Sequence, residues 1–245
     1  DPKKKEIYSR FMDKSQVAMA GHWDKANNYV KGIEDYLPTE QYRRPAHQKK
    51  VVEDILENWI QYSQNNKFHG MFATSSIAEA IEYYRLFKKL KPELKITALF
   101  DPNVDNNENA KFKEDGLVEI ISDYNNRYGM EFSLATHAKM KRDIADRLAH
   151  KELYKRVEHT PEKQLELLIV VDQMLTGFDS KWVNTLYLDK MLEYANLIQA
   201  FSRTNRLFGK DKPFGIIRYY RRPHTMKRNI DAAVKLYSGD KPLAL

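Results

Sequence analysis

Cysteine is absent from the chain. Disulfides, thiolate nucleophiles and cysteine-based zinc sites are therefore excluded. Glycine and proline are sparse, at nine each in 245 residues, which excludes collagen-like and Gly/Pro-rich disordered classes. No apolar run approaches the roughly 18 residues that span a bilayer, and no secretory signal is visible. The expectation is a cytoplasmic protein with no membrane partner. The histidines (His22, His47, His69, His137, His150, His159, His224) lack a spacing such as His-x3-His, so no metal site is expected. No Gly-x-Ser-x-Gly elbow is present, which disfavours a serine hydrolase. Charge is not one-sided either: 41 Lys and Arg stand against 34 Asp and Glu, a formal net charge of +7. That excess is compatible with a polyanion such as DNA without requiring one. The chain opens on Asp1 rather than Met, so a fragment of something longer is expected.

What is present is a helix-rich globular pattern, 42% hydrophobic and 31% charged. Residues 1–45 read as a helical linker or hairpin, punctuated by Pro38 and Pro45. From Ala46 the pattern sharpens. Val51, Val52, Ile55, Leu56, Trp59 and Ile60 trace an amphipathic helix. Phe68–Ala73 is a candidate buried strand. Thr74, Ser75 and Ser76 follow it and can cap a helix with Ile77, Ala80, Ile81, Tyr84 and Phe87 on one face. Further strands are expected at Ile96–Phe100, Leu165–Val171, Asn184–Leu188 and Phe214–Tyr219. Helices are expected over about 111–128, 133–150, 193–204 and 223–237, and a surface loop over 101–109. Strands alternating with helices at this spacing imply parallel βαβ units, with functional loops at the carboxyl ends of the strands.

Three segments carry chemistry. The loop Asp172-Gln-Met-Leu-Thr176-Gly177-Phe178-Asp179 offers a close-approach glycine, a hydroxyl and a carboxylate. An ordinary turn has the same composition. Gln199-Ala-Phe-Ser-Arg203-Thr-Asn-Arg206 places two arginines three apart, on one side of a helix. Paired guanidiniums suit the spread charge of a phosphoryl-transfer transition state, and an exposed basic face has the same spacing. The turn at Phe72–Ser76 offers hydroxyls and N–H groups at a helix N-terminus, which suit either an anion or simple capping.

Their order is more specific than any one of them. A strand-turn-helix comes first. Then come Leu168-Ile-Val-Val-Asp172-Gln-Met-Leu-Thr-Gly-Phe-Asp179-Ser-Lys, Asn184-Thr-Leu-Tyr-Leu-Asp189-Lys190 and Leu197-Ile-Gln199-Ala-Phe-Ser-Arg203-Thr-Asn-Arg206. This succession resembles motifs IV, V and VI of superfamily 2 helicases. The wording MLTGFD, TLYLDK and QAFSRTNR resembles the motor subunit of type I restriction enzymes. The resemblance implies a RecA-like three-layer α/β/α domain with a mostly parallel central sheet (a P-loop NTPase fold, second lobe) over 46–245. It also implies ATP-dependent translocation on double-stranded DNA that drives endonucleolytic cleavage.

By the same resemblance Arg206 is the arginine finger on the γ-phosphate and Arg203 a second phosphate-facing arginine. Gln199 orients the helix or touches the nucleotide. Asp179 contacts the ribose or ties motif V to the arginines. Thr176 and Gly177 lie close to the DNA backbone, with Thr74 and Ser75 as further backbone candidates. ATP and Mg²⁺ are held mainly by a first lobe outside this chain. The implied partners are that lobe and a nuclease domain of the same subunit, and separate methyltransferase and specificity subunits. Another superfamily 2 helicase lobe, or a stand-alone basic nucleic-acid-binding module with no ATP cycle, remains an alternative.

Other groups read more blandly. Arg218, Arg221, Arg222, His224, Lys227 and Arg228, interleaved with Tyr219 and Tyr220, suit DNA phosphates or, preferably, a solvated face. Lys139, Lys141 and Arg142 are read as solvated. Trp23, Trp59 and Trp182 are read as core or lobe-contact residues. Glu93-Leu-Lys95 has the Glu-x-Lys spacing of a nuclease motif but lacks an acidic partner on a preceding strand. No Gly-x4-Gly-Lys-Ser/Thr loop occurs. The chain alone is therefore expected neither to hydrolyse ATP nor to cut DNA. Phosphate release by the purified chain with ATP and magnesium should stay at the buffer baseline, and any reproducible turnover contradicts this.

Overall fold

The computed structural model describes residues 18–101, 110–171, 178–202, 204 and 206–238. Thr176, Gly177, Arg203 and nearly all of the expected loop at 101–109 lie outside the described residues.

A five-stranded parallel sheet forms the centre. Its strands are β3 (His69–Thr74), β4 (Ile96–Leu99), β5 (Leu167–Val170), β6 (Val183–Asp189) and β7 (Ile216–Tyr219), in the spatial order β4-β5-β3-β6-β7. All residues of β3, β4, β5 and β6 are buried. That is why these strands read as apolar runs rather than as alternations: a parallel sheet is covered on both faces. The helices that cover it are α1 (Pro45–Tyr62), α2 (Ile77–Leu90), α3 (Ala110–Tyr128), α4 (His137–Ala149), α5 (Tyr194–Phe201) and α6 (Pro223–Ser238). The fold is thus α/β and RecA-like.

Alternation along β3 sorts the layers. Gly70 and Phe72 face one side, where a Cβ at Gly70 would sit tightly, 3.1–3.3 Å from the side chains of Leu167, Trp59 of α1 and Tyr187. Phe72 packs edge-on to Tyr83 and Phe87 of α2. His69 faces the other side, with Nε2 2.9 Å from Nε2 of His150, just past α4. Burial pulls the His69 imidazole down to about 3 and that of His150 down to about 4. Both rings are therefore neutral at pH 7, as a donor–acceptor pair of imidazoles requires.

Local signals set the element ends. Ser76, in an extended conformation, accepts the Glu79 N–H at 3.2 Å and starts α2. Pro45 occupies the first turn of α1, where its missing N–H costs nothing. His150, at φ 51°, ends α4 in the left-handed region. The expected helix over 133–150 begins as a short 3-10 turn at Leu134–Thr136. Three strands are shorter than expected, β4 by Phe100 alone. Glu166 leaves the β5 run to bind Lys95 through its backbone N–H at 2.8 Å and Nζ at 2.5 Å. Phe214 is exposed and precedes β7.

Residues 18–44 hold a small antiparallel ribbon, β1 (His22–Trp23) with β2 (Tyr29–Val30), and two 3-10 turns, Ile33–Tyr36 and Thr39–Arg43. They strap onto α6. The Glu34 carboxylate, 1% exposed, accepts the N–H groups of His224 at 3.0 Å and Thr225 at 2.7 Å. A negative group there satisfies orphan donors and complements the helix dipole. Glu34→Ala should lower stability by about 1–3 kcal/mol, the scale of a charge-assisted cap. Urea denaturation of the purified chain reads the shift, and an unchanged midpoint removes Glu34 from this role.

Candidate functional site

Chemistry-bearing residues gather at both ends of the sheet. At the carboxyl end, β3 runs into the turn Thr74-Ser75-Ser76. Thr74 is fully buried, and its hydroxyl donates to the carbonyls of Ser76 at 3.2 Å and Val170 at 3.4 Å. Ser75 is the exposed member. Its Oγ donates to the Asp189 carbonyl at 3.3 Å. β3 and β6 are neighbours whose onward connections run toward opposite edges of the sheet, the kind of switch point at whose carboxyl ends open α/β sheets commonly bind ligands.

Beneath this turn lies a buried ionic cluster that the sequence reading did not single out. Asp189, the last residue of β6, is 0% exposed. Arg221 Nε and Nη2 each reach one of its oxygens at 3.0 Å. Tyr83 OH donates to Oδ2 at 2.6 Å, and His47 Nε2 lies 2.9 Å from Oδ1. Arg221 Nη2 also reaches Glu79 at 2.7 Å. Burial acts against the Asp189 charge, but hydrogen bonds from His47 and Arg221, with the guanidinium's charge, hold the carboxyl below its ordinary value. One signal was available: a carboxylate directly after the apolar run Leu186-Tyr-Leu188. Its partners gave none, because Arg221 is 32 residues away and Tyr83 106.

Of the basic cluster around 218–228, His224 and Lys227 lie on a solvated face as expected, but the arginines do not. Arg221 is buried. Arg218 grips Asp54 at 2.7 and 2.9 Å, and Tyr220 OH joins it at 2.8 Å. Arg222 reaches the Leu37 carbonyl at 2.8 Å, and Arg228 reaches that of Gly21. The carboxylates and carbonyls that take up these charges lie far away in sequence, so composition alone makes the segment look free. Lys139, Lys141 and Arg142 are exposed on α4. Trp59 is buried in the core, whereas Trp23 is 64% exposed. Glu93 and Lys95 separate into different pairs, with Lys91 at 2.7 Å and Glu166 at 2.5 Å.

At the amino end of the sheet, Arg206 Nη2 meets Asp179 Oδ2 at 2.6 Å. The structure thus joins the two sequence-selected segments. Both partners are accessible, with side chains 63% and 48% exposed. Asp179 lies just ahead of β6. Phe208, two residues past Arg206, packs at 5.8 Å on Phe68 and 4.7 Å on Trp182, residues that adjoin the starts of β3 and β6. The expectation that functional loops sit at carboxyl ends therefore does not hold for this pair. The reason is connectivity: the chain must return across the sheet after β6 to begin parallel β7, which carries the end of α5 to the amino edge. Gln199 is exposed on α5. Trp182 stacks on His150 at 3.8 Å and 13°.

Fold and arrangement define a RecA-like α/β domain with an exposed acid–arginine pair at one edge of its sheet. The chain belongs to the family of domain 3 of the type I restriction enzyme subunit R, whose model matches residues 66–222. It is 38% identical to the type I restriction enzyme SauCOLORF180P endonuclease subunit of Staphylococcus aureus (strain COL), over 77% of this chain and 20% of that protein. The SsaAORF53P endonuclease subunit of Staphylococcus saprophyticus is also 38% identical, over the same shares. The putative MjaIXP endonuclease subunit of Methanocaldococcus jannaschii is 30% identical, over 76% of this chain and 14% of its own length. The chain thus spans about 20% of the length of the staphylococcal relatives.

Asp189→Asn should destabilise the fold by about 1–3 kcal/mol, because it removes one of the two buried carboxylates that balance Arg221 and leaves donors of the cluster unsatisfied. Thermal or urea unfolding measures this. A loss below about 1 kcal/mol would show that the cluster does not hold the carboxyl edge together.

Proposed function

We propose that this chain is the second RecA-like lobe of the motor in a type I restriction endonuclease subunit. It contributes Arg206 to ATP hydrolysis at an interface with a first lobe, and that hydrolysis drives translocation along double-stranded DNA and, through it, cleavage. The observation that carries this reading is the exposed Asp179–Arg206 pair. An exposed ion pair contributes only about 0–1 kcal/mol. The fold therefore loses little when Arg206 exchanges the Asp179 carboxylate for a phosphate. A guanidinium presented this way can stabilise charge on a transferring phosphoryl group. Asp179 then holds Arg206 in place before the nucleotide arrives. Arg203 and Gln199 are assigned to the same nucleotide edge. Thr176, Gly177 and Ser75 are assigned to the DNA side, where Thr74 acts through the backbone, since its hydroxyl is bonded inward.

The cofactors are ATP and Mg²⁺. An accessible arginine fits a nucleotide phosphate. Among the described residues, no group of three or more His, Asp or Glu side chains is placed to hold a cation. Mg²⁺ is assigned to the first lobe. The proposed partners are double-stranded DNA, the first lobe and nuclease domain of the same subunit, and the methyltransferase and specificity subunits. The relatives named above, endonuclease subunits of type I restriction enzymes, support this assembly.

Arg206→Ala in the full-length subunit should lower DNA-stimulated ATP turnover by roughly 10³- to 10⁵-fold, the scale of an arginine finger. DNA binding should change little. Turnover within a few-fold of the parent enzyme would remove Arg206 from catalysis.

A further inference from the structure

The loop that carries Arg206 is pinned by a lysine buried beneath it. Lys212 is 0% exposed. Its Nζ donates to the carbonyls of Lys181 at 3.2 Å and Val183 at 2.7 Å, at the start of β6. Burial pulls the ammonium down to about 8, while the Asp179 carboxylate acts in the opposite direction. Lys212 is thus still charged at neutral pH and able to donate to both carbonyls. A methionine would fill the same space. Only lysine adds donors aimed at the backbone of the segment that, two residues earlier, bears Asp179.

The lysine also closes a short hairpin. Phe208 N–H donates to the Lys212 carbonyl at 3.0 Å, and Lys212 N–H donates back at 3.3 Å. Asp211 ties this hairpin to the α1–β3 connection, through Lys67 Nζ at 2.8 Å and through its own carbonyl to Gln64 Nε2 at 2.6 Å. Beyond the hairpin, Gly215 passes directly under Thr204. A Cβ at 215 would meet the Thr204 carbonyl oxygen at 2.4 Å and its Cβ at 2.6 Å. Thr204 is itself 1% exposed, and its hydroxyl donates to the Phe201 carbonyl at 3.2 Å. The stretch from 204 to 215 is therefore clamped at both ends, with Arg206 between the clamps and exposed.

We propose that Lys212 and Gly215 are positioning residues for nucleotide hydrolysis: the lysine bolts the Asp179 segment to the Arg206 hairpin, and the glycine lets the arginine-bearing turn lie close against the start of β7. This inference rests on the reading of Arg206 given above. Neither residue touches nucleotide. Their effect passes through the place at which Arg206 is held, and catalysis is sensitive to misplacement of about 1 Å.

The test uses the full-length subunit with Lys212→Met and Gly215→Ala, read by hydrogen exchange and by ATPase kinetics. Amides over 206–212 should exchange faster in both variants, while those of β3 and β5 keep their protection. The kcat for ATP should fall by roughly 10²-fold, with KM changed far less. Lys212→Met placed on Arg206→Ala should cost nothing further, because both act through one group. Unchanged exchange over 206–212 overturns the proposal. So does normal kcat in an enzyme that Arg206→Ala inactivates, or a fully additive loss in the double variant. If Lys212→Met also strips protection from β3, the whole domain has loosened, and Gly215→Ala, which keeps the ammonium, makes the same comparison. If Arg206→Ala turns over normally, the Arg206 reading fails, and exchange over 206–212 alone decides whether the anchor exists.

Discussion

Asp189 has no contact with solvent, and each of its oxygens is met twice. Taking a carboxylate out of water costs several kcal/mol, and the penalty is offset only when the charge is both paired and fully hydrogen-bonded. The donors come from three places: His47 on α1, Tyr83 on α2 and Arg221 after β7. The carboxylate itself closes β6. A single buried charge therefore ties together parts of the chain up to 142 residues apart. Through Arg221 it reaches Glu79, whose own N–H is capped by Ser76. The turn that presents Ser75 is held by this network.

The two edges of the sheet use the same chemistry to opposite ends. Asp189–Arg221 is sealed, so breaking it leaves buried charges short of a partner and the geometry is rigid. Asp179–Arg206 is open to water, so its charges interact weakly and exchange partners cheaply. A buried pair suits a frame, and an exposed pair suits a group that must leave one partner for another. Rigidity is still needed beside the exposed pair. There it comes from below, through the Lys212 ammonium, the Phe208 ring and the close approach of Gly215 to Thr204.

Most of the central sheet and its helices was legible because those elements carried their own signals, whereas the β1–β2 ribbon carried none. β5 is an apolar run, α2 begins at a serine cap, and α1 shows a clear helical period. The parallel class followed from alternation of these elements. Strand order was not legible, since it depends on which apolar faces meet. Asp179 and Arg206 were selected from order and wording along the chain, and the structure pairs their side chains. Asp189, Glu79 and Tyr83 were missed, as was Lys212, because burial of a polar side chain leaves no trace in local sequence when its partners are remote. The basic run 218–228 misled for the same reason. Its arginines look free until Asp54, Asp189 and distant carbonyls fold against them. The amino-edge position of the Asp179–Arg206 pair escaped a rule about carboxyl-end loops, because that rule concerns the residues that leave a strand and not those that return.

The proposed function draws its mechanical content from this separation. The Ser75 turn lies at one end of β6 and the arginine hairpin at the other. β6 has seven residues, all buried, and at about 3.3 Å per residue it spans roughly 23 Å. A fully buried strand in the middle of a parallel sheet is among the stiffest parts of a domain. A displacement of the Arg206 hairpin that reaches β6 through Lys212 is therefore passed along the strand rather than absorbed within it. Lys212 bonds to carbonyls at the start of β6, and Asp189 closes its end. The arginine hairpin and the Ser75 turn are thus fastened to opposite ends of one rod. On this view nucleotide chemistry reaches DNA by rotation of a rigid lobe, with no pathway of side-chain rearrangements required through the core.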